Sequence, residues 1–205
     1  MASKRRHVRE RPARGAGFRR ETDLRRSVNS REELRSVLIV SNGIKTEIDY
    51  FNTLRGESWV TADKVTPKFV AGAPAAVSVR AAAIRQENGY DEAWVVCDVD
   101  EFDVKSAIAE VADLSNVELV LSKPCFEVWL ILHLADGCPG FNNAAQAEAY
   151  LKRLLPRWDK TALKFADFGS GVLKAEARAK RLGEPPDANP STAVWRLIES
   201  LREQG

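Results

Sequence analysis

Two aspartates one residue apart, Asp98 and Asp100, close the apolar run Ala93-Trp94-Val95-Val96-Cys97. Side-chain direction on an extended segment repeats every second residue, so both carboxylates can point the same way as the strand runs out. Such a pair is a hard oxygen site suited to Mg²⁺ or Mn²⁺, which keep several waters and take phosphate oxygens as further ligands. The bland alternative is an acidic loop whose aspartates cap the next helix. A second polar stretch, Asn42-Gly43-Ile44-Lys45-Thr46-Glu47, follows the run Ser36-Val37-Leu38-Ile39-Val40-Ser41. Glu47 suits either a metal or the N-terminus of the helix it begins. Glu127 lies inside the otherwise apolar segment Phe126 to Leu134, where a carboxylate is costly to bury alone. It either faces the same cleft or pairs with Lys45 or Lys123. Those two lysines fall on loops after strands and can neutralise a phosphate, or simply solubilise the loops. Gly43 permits a tight turn or a close backbone approach.

Other chemistry finds less support. His133 sits on an apolar helix and reads as a core histidine, while His7 lies in a basic arm. Cys97, Cys125 and Cys138 are too scattered for a disulfide framework or a zinc site. The five tryptophans read as core, although Trp158 beside Arg157 and Lys160 invites base stacking.

The elements that must position these groups follow from hydrophobic patterning. Strands are expected at 36–41, about 67–71, 93–97 and 117–121, with helices at 46–55, from Pro74 to Gly89 and at 105–114. Thr46 is expected to cap the first helix, and Gly89 to stop the second. Four apolar strands separated by helices imply parallel pairing, with ligands gathered beyond the strands' carboxyl ends. The remainder reads as helical, near 125–134, 144–155, 171–182 and 191–202. Ser191 or Thr192 is expected to cap the last helix; anion binding at that helix start is the alternative. The fold class is therefore α/β: a parallel sheet of about four strands flanked by helices, with a helical C-terminal part.

The chain resembles the RloB-like family, Toprim-fold proteins of bacterial antiphage defence loci, over about residues 35–203. Four patches carry the resemblance: Val37 to Phe51, Val95-Val96-Cys97-Asp98-Val99-Asp100, Ser122-Lys123-Pro124-Cys125-Phe126-Glu127-Val128-Trp129-Leu130, and Asn189-Pro190-Ser191-Thr192-Ala193-Val194. The resemblance implies a Toprim core at about 35–135, a helical extension at about 140–205, and Asp98 and Asp100 as a Mg²⁺-binding pair. It implies nuclease-type cleavage of RNA, tRNA included, or DNA, and a neighbouring ATPase of the AAA/ABC type as partner. The departure is Asn42, where such proteins read Glu before the glycine. An amide carbonyl can still touch a metal, but it brings no charge and cannot act as a base. Glu47 or Glu127 would have to compensate; otherwise the chain is a binding module that does not cut.

Of the 205 residues, 44% are hydrophobic and 29% charged, which suits a folded domain and excludes a wholly disordered chain. The net charge of +2 hides an asymmetry. Residues 1–31 hold eleven Lys and Arg against three Asp and Glu, hence +8; the other 174 hold twenty against twenty-six, hence −6. A basic arm on an acidic body suits a phosphate-backbone binder or an acidic protein partner. No secretory signal or membrane span is visible, so a cytoplasmic protein is expected, with homo-oligomers possible.

Overall fold

A computed structural model describes residues 35–99 and 104–202. Its centre is a five-stranded sheet ordered β2-β1-β3-β4-β5. The strands are β1 (Ser36–Ser41), β2 (Lys64–Phe69), β3 (Glu92–Asp98), β4 (Val117–Lys123) and the two-residue β5 (Ser191–Thr192). The first four run parallel; β5 runs antiparallel to β4, pairing Ser122 with Thr192 and Lys123 with Ser191. The helices are α1 (Thr46–Leu54), α2 (Pro74–Asn88), α3 (Val104–Ala112), α4 (Glu127–Leu134), α5 (Ala144–Leu154), α6 (Val172–Leu182) and α7 (Val194–Arg202). Among the described residues, no helix is long and apolar enough to cross a membrane.

Strand alternation divides the core in two. Val37 and Ile39 of β1, with Trp94 and Val96 of β3, face a large cluster shared with α1 and α4 to α7. Leu38 and Val40, with Ala93, Val95 and Cys97, face a smaller cluster with α2 and α3. Both faces of the strands are thus covered, which is why they read as continuous apolar runs. Helix α4 is buried on all sides from Glu127 to His133, so its sequence shows no polar stripe.

Three expectations are corrected. Strand β2 begins earlier than expected and contains Pro67; it is an edge strand, where a missing N–H costs no central ladder bond. Thr46 is the first residue of α1 rather than its cap: Lys45 holds the cap position, and the Thr46 hydroxyl donates to the Lys160 carbonyl at 3.3 Å. Ser191 and Thr192 form a strand rather than the start of the helix, although Thr192 does cap α7, as expected of one of the two. The Ser191 hydroxyl donates to the Ala188 carbonyl, and Thr192 meets Ser122 at 2.7 Å while also accepting the Val194 N–H at 3.4 Å. Both side chains and Ala193 are buried, leaving no access for an anion there. Asn189 instead clamps the Phe141 backbone, donating to its carbonyl at 2.8 Å. Pro74 and Gly89, by contrast, bound α2 as expected, Gly89 with a left-handed φ of 67°.

Candidate functional site

Strand β1 sends the chain through α1 to β2 on one side, and β3 lies on the other. The gap between the carboxyl ends of β1 and β3 is therefore the topological switch point, where open α/β sheets bind ligands. Asn42 to Glu47 leaves β1 there, and Asp98 ends β3.

Glu47 is buried, with its carboxylate folded back over Gly43. A Cβ added at Gly43 would lie 2.1 Å from both Glu47 oxygens, so any larger residue there displaces that carboxylate. The Gly43 N–H itself donates to Ser41 Oγ at 2.9 Å, which closes the turn. Burial pushes the Glu47 carboxyl up to about 7, its own backbone N–H works the other way, and the charge of Glu127 adds to the rise. Glu47 thus serves neither alternative alone: it accepts at the helix N-terminus and also faces the other acids.

Asp98 is half-buried and accepts the Phe126 N–H at 2.9 Å. One carboxylate oxygen thereby ties the end of β3 to the entry of α4. The capping alternative is realised in part, though on α4 rather than on the helix next in sequence. Burial first, then the charges of Glu47 and Glu127, hold the Asp98 carboxyl well above the usual range. Glu127, the first residue of α4, is buried at 3% exposure. Its ionic partner is neither Lys45 nor Lys123 but Lys160, at 3.6 Å. Lys160 also pairs with Glu148 of α5. Although burial works against it, hydrogen bonding to Glu148 and the charge of Glu127 hold the Lys160 ammonium firmly protonated.

The remaining expected residues are placed differently. Lys123 turns away, donating to the Pro186 carbonyl at 2.5 Å, so its ammonium anchors the link before β5. Lys45 is exposed at the start of α1, and Asn42 is half-buried beside Gly43. Asp100, His7 and the basic arm lie outside the described residues. Trp158 is buried in the large core cluster, which removes the surface ring that base stacking requires. His133 is a core residue: its Nδ1–H donates to the Phe168 carbonyl at 2.7 Å, and Nε2 faces the Tyr50 hydroxyl at 3.2 Å. Cys97 is pushed up to about 12, chiefly by burial and then by Asp98, and Cys125 is raised as well. Neither thiol is a nucleophile near neutrality. Lys160 and Glu148 were not anticipated, because a lysine in a polar loop and a glutamate on an amphipathic helix carry no local signature.

Among the described residues, no group of three or more His, Cys, Asp or Glu side chains is arranged to hold a metal ion. Glu47, Asp98 and Glu127 therefore do not form a closed cage. Their chemistry fits a more open site, since Mg²⁺ is commonly held by one or two carboxylates and completes its shell with water and phosphate. Burial and mutual repulsion raise Glu47 and Asp98, and a dication bound among these acids would offset both effects.

A mostly parallel α/β sheet with an acidic cluster at its switch point defines the class. Within it, the family model for RloB-like proteins matches residues 37–201, and the chain belongs to that family. No curated protein and no solved structure matches.

Proposed function

We propose that this protein is a metal-dependent phosphodiesterase of the nuclease type, built on a Toprim-like core, acting on RNA (tRNA included) or DNA as an effector of antiphage defence. The observation that carries the reading is the Glu47 carboxylate packed on Gly43. It returns a carboxyl group to the end of β1, the position where Asn42 has none, and it shares the field of Asp98 and Glu127.

Asp98 and Glu127 would hold Mg²⁺ or Mn²⁺, with Asp100 and the Asn42 carbonyl as further oxygen donors. When bound, such a cation supplies Lewis acidity toward a phosphodiester. Glu47, pushed up to about 7, is suited to take the proton of the attacking water at neutral pH, with Glu127 as the alternative acceptor. Lys45, exposed at the same end of the sheet, meets the phosphate. The arm of +8 contributes sequence-independent affinity for a polynucleotide. The family resemblance supports an ATPase of the AAA/ABC type as the partner that activates or releases the effector.

The test is cleavage of tRNA, other RNA and plasmid with Mg²⁺ and with Mn²⁺, alone and with the ATPase encoded nearby. Wild type is expected to cut, and Asp98→Ala to lose at least a hundredfold in rate. Asn42 favours a second reading, a module that binds nucleic acid or a partner without cutting. Inert wild type under every condition, combined with cleavage by Asn42→Glu, would establish that reading. In either case, deleting residues 1–31 is expected to lower affinity for polynucleotide and flatten its salt dependence.

A further inference from the structure

Lys160 stands in the segment between α5 and the short 3-10 turn Phe165–Asp167, and its backbone is fixed from two directions. Asp159 Oδ1 accepts from both the Thr161 N–H and hydroxyl, each at 2.8 Å, which sets the turn. The Lys160 carbonyl accepts the hydroxyl of Thr46, the residue before Glu47, at 3.3 Å. The loop is thereby bound to the same first turn that carries a site carboxylate.

The side chain above this anchor has two unequal partners. It hydrogen-bonds Glu148, whose side chain is 30% exposed. It stands 3.6 Å from Glu127, whose side chain is 4% exposed, beyond hydrogen-bonding distance. Its charge is also felt by Glu47 and Asp98. The ammonium therefore stands beside the buried Glu127 while gripping only the more exposed Glu148. It offsets the charge of the inner acid without hydrogen-bonding it. Lys160 itself is 53% exposed and lines a groove of about 670 Å³ with Glu148, Lys152 and Arg157. The side chain has room to leave Glu127 and keep Glu148.

We infer that Lys160 is the resident counter-cation of the carboxylate site, competing with a divalent cation for Glu127 and withdrawing to Glu148 and the groove when that cation arrives. This rests on the reading of Glu47, Asp98 and Glu127 as a cation site. It makes Lys160 a positioning residue that sets the affinity of the site, and it makes Glu148 the residue that holds the lysine back.

The experiment is Mn²⁺ titration of the full chain by calorimetry, with the Mn²⁺-induced rise in Tm as a second readout, free of any substrate. Lys160→Gln removes the competing charge and is expected to bind Mn²⁺ several-fold more tightly, the size of effect left to a half-exposed, solvent-screened charge. Its Tm without metal falls, and its rise on adding Mn²⁺ exceeds that of wild type. Lys160→Arg keeps the charge and shows no tightening. Glu148→Gln leaves the ammonium only Glu127, so it weakens Mn²⁺ binding several-fold; it carries the test alone if Lys160→Gln does not fold. Unchanged or weaker binding by Lys160→Gln, or unchanged binding by Glu148→Gln, overturns the inference while Asp98→Asn still abolishes binding. Wild type that binds no Mn²⁺ overturns the cation site itself, and the role of Lys160 with it.

Discussion

Glu47 and Glu176 are equally buried, each 7% exposed, yet their carboxyls move in opposite directions. Burial alone raises both. At Glu176, on α6, hydrogen bonds from Arg202 and Lys180 overcome that penalty and hold the acid below its ordinary range. At Glu47 the neighbours include Glu127, and the group is pushed up to about 7. A buried acid with two cations is a structural joint between α6 and α7. A buried acid among acids is destabilising in isolation, and the fold retains it at the sheet's switch point. The same contrast separates two glycines. Gly43 makes room for a flexible carboxylate, whereas Gly171 lies under backbone, 2.7 Å from the His133 carbonyl for an added Cβ.

The comparison can be broken or sharpened by experiment, and the largest effect is expected in the scaffold. His133 is held neutral, pushed down to about 4 chiefly by burial. The unfolded chain takes up a proton near 6.5 and the folded one does not, so stability falls as pH drops from 6.5 to about 4. The loss attributable to this group is about 3 kcal/mol. Urea unfolding across that range should show it, and His133→Gln should flatten the slope there. Next, Gly171→Ala forces α6 away from α4 and is expected to cost about 2 kcal/mol in the same assay. Gly43→Ala should cost less than half as much, because the Glu47 side chain can move, but it should weaken Mn²⁺ binding by displacing that carboxylate. Glu176→Gln is expected to destabilise by about 1 kcal/mol, since both of its cations remain partly exposed. The smallest effect belongs to Glu47→Gln in metal-free protein: no loss, or a gain below about 1 kcal/mol, as a like-charge contact disappears. If Glu47→Gln were as destabilising as Glu176→Gln, the two regions would not differ in kind.

Most of the fold is legible from one-dimensional pattern. Runs such as Val37 to Val40 and Trp94 to Cys97 are apolar on both faces because helices cover both, and the Pro74 and Gly89 boundaries obey local backbone geometry. Strand β5 is not legible: two residues of extended chain have no periodicity, and Ser191-Thr192 resembles a helix cap until β4 lies beside it. The same limit applies within the site. Asp98, Glu47 and Glu127 stand out as acids at strand and helix ends. Which cation answers them depends on a loop more than thirty residues from Glu127 in sequence, and Lys123, the nearer candidate, is drawn instead to Pro186.

The sequence by itself therefore determined the layered α/β architecture and the acids delivered to one end of the sheet, because periodicity, caps and turns are local properties of the backbone. Only the tertiary structure decided that Glu47 folds onto Gly43, that Asp98 secures the entry of α4, and that Lys160 meets Glu127. Charge interactions act through space, and the distances that govern them exist only once the chain has packed.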